Sequence, residues 1–324
     1  MKGKFWNSRL LDNFLFSANT IAPVFLLVVI GLFLKAKNFI DDGFIQISSK
    51  LVYNLALPVF IFTKLSNLKI SEAIDFSIIG FIYLATILSM LISLIVSKFF
   101  ISDSFDKGGF VQGSFRGNFA IVGLAVIYNI IGQEGVAKAS LFLGFLLPLY
   151  NVLSIIALYL PYREQRKISF LKSAKDIITN PLILAVIVAI PFSYFEIKPY
   201  EFVNKTVNYI SAISLPLALI GIGGSLNWNS VKSSSLAAIL SSLLKIIFFP
   251  ILLTLIAFYV GYREDDLMIL FILFACPTAV VSFVMAESMG SNRKLAGNII
   301  VITTIGFIFT MSVGIVILRE LGLA

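Results

Sequence analysis

Histidine is absent from the 324 residues, and cysteine occurs once, as Cys276. The first absence excludes imidazole-ligated metals, histidine-held haem and Ser-His-Asp chemistry, and the second excludes an internal disulfide. Charge is scarce too. Asp, Glu, Lys and Arg make up 13% of the chain, against roughly 25% in a soluble domain. A soluble enzyme, a disordered chain and a nucleic-acid reader are excluded together. No G-x-x-x-x-G-K-[ST] loop occurs, so ATP-driven pumping has no support. Within the apolar runs there are no paired aspartates and no metal-ligand spacings, which leaves an intramembrane enzyme without machinery.

What the chain does have is apolar length. Hydrophobic residues reach 59% and mean hydropathy is +0.98. A helix needs about 20 apolar residues to cross roughly 30 Å of hydrocarbon. Runs of that kind fall at about 14–34, 46–65, 74–100, 111–131, 137–160, 177–194, 206–226, 234–260, 267–289 and 295–318. The expected fold is therefore an all-α membrane protein of ten transmembrane helices. The first 13 residues, with Lys2, Lys4 and Arg9, resemble the charged start of a signal peptide. No small-residue cleavage pattern follows and the next run is long enough to span, so the segment is kept with the mature chain.

The net charge of +8 is spread over short connections, as topology signals are, rather than along a phosphate-tracking stripe. An even number of spans puts both termini on one face. That face carries ten Lys and Arg and the opposite face thirteen, five of them in the loop 161–176 (Arg163, Arg166, Lys167, Lys172 and Lys175). The positive-inside bias places this loop in the cytoplasm and both termini outside.

The chain also repeats itself. Pro23 and Pro181 open spans one and six, 158 residues apart. Pro58 in "NLALPVF" and Pro216 in "AISLPLA" share that offset, and "FRGNFAIVGLAV" from Phe115 matches "FACPTAVVSFVM" from Phe274 at 159. Three landmarks at one offset point to duplication. The first repeat is 1–160, the basic loop 161–176, and the second repeat 177–324. Five spans per copy is an odd number, so the second copy enters the membrane upside down. That architecture is common among secondary transporters with midplane sites on discontinuous helices.

Spans four and nine are the most interrupted. The fourth carries Arg116, Gly117, Asn118 and Gly123, and the ninth carries Pro277, Thr278, Ser282 and Glu287. Glycine lowers the cost of leaving helical geometry, and proline removes an amide donor. Freed backbone at membrane depth is tolerated inside protein or along a wet cavity. Half-helix N-termini suit an anion, and Asn118 adds a donor and an acceptor. Simple kinks satisfied by neighbouring helices are the bland alternative. Ionisable residues inside spans leave two readings each. Lys245 balances an anion or changes protonation, or it snorkels to a headgroup or to a carbonyl freed by Pro250. Glu287 carries a proton or sits at the water interface. Arg116 attracts an anion or anchors the interface. Asn151 in "LLPLYN" faces the cavity or ties two helices together. Gly221, Gly223 and Gly224 read as close packing.

On these residues the chain resembles the auxin efflux carrier family, which includes plant PIN-type carriers and bacterial malate-permease-like proteins. The stretches that carry the likeness run from Ala22 to Ser66 and from Gly113 to Val152, with "NPLILAVIVAIP" from Asn180, "SLPLALIGIGGSL" from Ser214 and "CPTAVVSFVMAESMG" from Cys276. The resemblance implies a scaffold of spans one, two, six and seven, and a moving bundle of the other six. Spans four and nine would cross at the substrate site and work by an elevator motion. The family's asparagine falls on Asn118, its glycine on Gly123 and its ninth-span proline on Pro277. Two departures stand out: Ala125 replaces a common proline, and Ser282 stands near a second proline of PIN-type carriers.

The expectation is a secondary transporter of a small organic anion, a carboxylate such as malate or an auxin-like acid, in the cell membrane. Asn118, Gly123, Pro277, Thr278, Ser282 and Asn151 are its candidate binding residues, with Lys245, Glu287 and Arg116 as charge or proton partners. No cofactor, metal or nucleic acid is called for. A coupling proton or sodium ion stays open, as does a homodimer through the scaffold helices in the lipid bilayer. Two rivals stay open: a bile-acid-type sodium-coupled symporter, and a membrane ligand sensor that moves nothing. Every connection in the chain is short, which speaks against the sensor.

Overall fold

The computed structural model describes residues 2–67, 75–159, 178–226 and 235–323. Among them every element is a helix, and strand-like pairing is confined to one isolated bridge. Twelve helices follow in order. They are α1 (Lys2–Ala36), α2 (Asp42–Ser66), α3 (Phe76–Phe100), α4 (Ser104–Phe115), α5 (Phe119–Ile130) and α6 (Gln133–Tyr159). The rest are α7 (Pro181–Tyr194), α8 (Glu201–Ser225), α9 (Leu236–Val260), α10 (Glu264–Ala275), α11 (Val281–Ser288) and α12 (Arg293–Glu320). Six of these, α2, α3, α6, α8, α9 and α12, are long and apolar enough to cross a membrane. Shorter apolar stretches lie at Ile21–Ala36 within α1 and in α5 and α7. The described residues thus form an all-helical protein with several helices suited to a membrane.

Local chemistry sets the helix starts. Asp41, Asp75, Asp103, Asn180, Ser235 and Asn292 stand just before α2, α3, α4, α7, α9 and α12, and each side chain accepts from an amide of the first turn. Those amides have no partner inside the helix, so a cap typically stabilises by about 1 kcal/mol. The caps also explain where the helices differ from the hydropathy runs. The fourth run begins as a helix at Ser104, well before 111, because Asp103 caps it there. It then stops at Phe115. The ninth run is likewise two helices, α10 and α11. In α2 and α9 the ladder widens to π geometry at Val52–Ala56 and Leu244–Phe248.

Two packing groups emerge. In one, α1 lies along α8, and α2 packs against α7 and α8. The α1–α8 contact is close because Gly31 and Gly223 leave no room for side chains: a Cβ would fall 2.1 Å from the Ile220 carbonyl oxygen and 1.9 Å from that of Val28, respectively. In the other group, α3 and α6 flank α4, α9 and α12 flank α10, and α4 also touches α9 and α12. Helix starts recur 159 to 160 residues apart: Asp42 and Glu201, Phe76 and Leu236, Ser104 and Glu264, Gln133 and Arg293. The basic loop 161–176, on which the expected orientation rests, lies outside the described residues, as do Lys69 and Lys232.

Candidate binding site at two paired helix breaks

The chain leaves helical geometry between α4 and α5 and again between α10 and α11, and the two breaks meet. Gly117 and Thr278 form an antiparallel bridge. Asn118 N donates to the Pro277 carbonyl at 2.7 Å, and Ala279 N donates to the Arg116 carbonyl at 3.1 Å. Each break thus supplies hydrogen-bond partners that its own helix has lost. Buried backbone groups need such partners.

The ends of α4 and α10 also leave carbonyls without their ordinary i+4 donors. In α4, the amide that would serve the Gly113 carbonyl belongs to Gly117, which lies past the helix end in the bridge to Thr278. The Thr278 hydroxyl takes its place, donating to Gly113 at 2.7 Å. In α10, the Leu273 carbonyl would need an amide at Pro277, which has none. The amide due to the Phe274 carbonyl is that of Thr278, which donates to Thr303 Oγ1 at 3.0 Å. Lys245 Nζ fills this gap, donating to the Phe274 carbonyl at 3.0 Å from a side chain that is 2% exposed. It lies over Gly117, where a Cβ would be only 3.2 Å from Nζ.

Arg116, 4% exposed, turns the other way, toward α6 and α11. Its Nη1 donates to Ser154 Oγ at 2.9 Å and Met285 Sδ at 3.1 Å, and more weakly to the Tyr150 carbonyl at 3.5 Å. Its Nη2 donates to Asn151 Oδ1 at 2.9 Å. All of these acceptors are neutral. The ion pairs among the described residues are Lys35–Asp42, Lys138–Asp266, Lys205–Glu201 and Arg293–Glu287, and neither Arg116 nor Lys245 belongs to one. Two buried cations therefore flank the paired breaks without a carboxylate partner among the described residues. Arg116 has five N–H donors. Its Nε–H and one Nη2 hydrogen find no acceptor among the described residues.

The other residues singled out from the sequence take distinct places. Asn118 is 7% exposed, and its side chain caps nothing. Its carboxamide makes no hydrogen bond to a described residue. Pro277 gives its carbonyl to Asn118. Ser282 Oγ is buried beside the second break with no partner among the described residues. Asn151 is tied to Arg116 rather than to another helix's backbone. The hydroxyl of Thr278 is already committed to Gly113. Gly123 is a packing position, because a Cβ there would fall 2.3 Å from the Phe119 ring and 3.0 Å from Cys276 Sγ. Glu287 lies apart, 48% exposed and paired with Arg293.

Sequence reasoning missed several neighbours. Ser154 stands one turn beyond both Tyr150 and Asn151, at i+4 and i+3 respectively, which is a readable spacing. Gln112, one turn before Arg116, donates Nε2 to Met285 Sδ at 3.4 Å and leaves Oε1 buried without a partner among the described residues. Tyr53 and Asn180 join α2 to α7 through a 3.0 Å bond from Asn180 Nδ2 to the Tyr53 hydroxyl. No local pattern announced that pair.

Comparison with known proteins bears on the class of the chain. A family model described as "Membrane transport protein" matches residues 16–315. An uncharacterized transporter of Methanocaldococcus jannaschii is 24% identical over 298 residues, covering 88% of this chain and 94% of its own length. An uncharacterized transporter of Methanothermobacter thermautotrophicus is 23% identical over 293 residues, covering 90% of this chain and 95% of its own length.

Proposed function

The chain belongs to the membrane transport protein family, the auxin efflux carrier family that its sequence resembles, and from that premise we propose that it is a secondary transporter of a small organic anion. One observation carries the choice of an anion. Arg116 and Lys245 are buried beside the paired breaks and have no acidic partner among the described residues. A charge at membrane depth costs roughly 2.5–3.5 kcal/mol even on insertion scales, so two buried cations without an acidic partner favour a negative solute beside the breaks. In this reading a carboxylate takes the open donors of Arg116 and the Asn118 carboxamide. Ser282 and Asn151 line the same space, and Pro277 with Gly123 holds the breaks in place.

The transport cycle we infer is an elevator motion of ten spans in two inverted repeats. Support comes from the recurring helix starts and from contacts that exchange in pairs: α1 on α8 mirrors α7 on α2, α3 on α4 mirrors α9 on α10, and α4 on α6 mirrors α10 on α12. Two ties mirror each other as well. Asn292 Nδ2 donates to Asp106 Oδ1 at 2.7 Å, and Lys138 pairs with Asp266, each acid being the third residue of its broken helix. The group containing α1, α2, α7 and α8 would be the scaffold, and a route to a homodimer. The rest would carry the solute. The loop 161–176 is assigned to the cytoplasmic side of the cell membrane, with both termini outside.

Uptake into proteoliposomes tests this. A panel of mono- and dicarboxylates is offered, with pH and sodium gradients varied separately. Saturable uptake of at least one carboxylate is expected, and Asn118→Ala should abolish it while the protein still folds. Uptake that persists in that variant would remove the site, and no flux of any anion would leave the sensor reading in its place.

A further inference from the structure

The breaks differ in what their exposed carbonyls receive, and that difference bears on how the site is kept positive. At the C-terminal end of α10 the Leu273 carbonyl lies beside Gly117 and the Phe274 carbonyl meets Lys245, one deprived of its helical donor by Pro277 and the other by the Thr278–Thr303 bond. Carbonyls clustered at a helix C-terminus, where the dipole is negative, make a site for a small cation. Lys245 lies in it. Its Nζ is held by Phe274, and no Asp or Glu forms an ion pair with it among the described residues. The lysine comes from the π turn Leu244–Phe248 of α9, one turn before Pro250, and that widened turn aims the side chain inward at 2% exposure.

The geometry points to a monovalent-cation site built from the C-terminal carbonyls of α10 and filled by the chain's own Lys245 ammonium. A tethered ammonium presents a single positive charge with N–H donors to the carbonyls, as a bound ammonium or alkali ion would present charge to them. It moves with the broken helices and needs no gradient to load. The anion site therefore stays positive in every state, and a metal ion bound at this position is not required. The inference goes beyond the proposed function, because it concerns what occupies the backbone site and not which solute is moved.

The test uses purified full-length protein in detergent, without any substrate, so its outcome is separable from that of the uptake assay. Thermal unfolding is measured in sodium, potassium, ammonium and choline chloride at equal ionic strength. Wild-type protein should unfold at the same temperature in all four. Lys245→Ala should unfold several degrees lower in choline, and should regain at least half of that loss, saturably, in one or more of the small cations. Lys245→Gln is read in the same way if the alanine variant cannot be recovered. Saturable stabilisation of the wild type by sodium or potassium would overturn the proposal, since the site would then still be open. So would a lack of cation rescue in both variants.

Discussion

The two breaks reach one geometry by different chemistry. Their carbonyls correspond across the repeat, Gly113 and Ser114 in α4 with Leu273 and Phe274 in α10. At the first break the Gly113 carbonyl receives a neutral hydroxyl from Thr278, a residue of the other break. At the second, the Phe274 carbonyl receives an ammonium from a third helix. The causes differ too. Proline contributes directly to the second break, because Leu273 can have no i+4 donor, although α6 and α8 run on through Pro148 and Pro216. No proline enforces the first: Gly117 and Asn118 have amides, and that of Asn118 is drawn away by the Pro277 carbonyl. The first break depends wholly on its neighbours, whereas at the second the missing donor is written into the sequence. The positive charge then divides accordingly, with Lys245 neutralising a helix end and Arg116 keeping donors open toward a solute.

That division is broken most severely at Arg116. Arg116→Ala should reduce carboxylate uptake to background. Losing a buried charged hydrogen-bond partner costs about 2–5 kcal/mol, or roughly 30-fold or more in affinity, and equilibrium binding of the best carboxylate reads it directly. Near-normal affinity would hand the anion to Lys245 instead. Pro277→Ala comes next and acts on the cause of the second break. It returns an amide to the Leu273 carbonyl and removes a ring whose presence opposes helix by about 3 kcal/mol or more. The expected result is uptake reduced by roughly tenfold or more, with an unfolding temperature equal to or above wild type. A large drop in that temperature would mean that the proline stabilises the resting fold rather than keeping the break open.

How much of this the sequence disclosed follows the range of the interactions. Break positions were legible because Gly117, Asn118 and Pro277 act on their own backbone. Most long spans were legible because lipid-facing helices must be apolar along their length. The beginning of α4 was not. Its segment Ser104–Gln112 is polar and glycine-containing, and hydropathy assigns such a stretch to a loop. Yet every residue from Gly108 to Phe115 is buried by protein, and a helix sheathed by other helices need not look apolar to lipid. The partners of the two cations were hidden for another reason. Lys245 meets Phe274 across 29 residues and Arg116 meets Met285 across 169. Each of these depends on tertiary approach, which no short spacing encodes. Chemistry at a position was readable, but its consequence for a remote carbonyl was not.

A smaller effect is expected where the first break borrows its hydroxyl. Thr278→Val keeps the shape, removes the donor to Gly113 and leaves that carbonyl unsatisfied, a loss of about 1–3 kcal/mol. Unfolding temperature should fall, and Thr278→Ser should recover most of it. A full recovery by valine alone would mean that water reaches Gly113 and that the first break is wetter than its burial suggests.

The smallest effect is expected at Glu287. It lies on the second break's far helix, and the sequence leaves it open as a proton carrier. Its carboxylate is half exposed and paired with Arg293, itself 63% exposed by side chain. Exposed pairs contribute about 0.2–1 kcal/mol, because water screens the charges and two long side chains lose freedom to meet. Glu287→Gln should therefore shift stability by less than about 1 kcal/mol and leave the pH dependence of uptake unchanged. A flattened pH profile in that variant would move proton coupling onto a residue outside the paired breaks. The charge asymmetry between Arg116 and Lys245 would then describe solute binding alone.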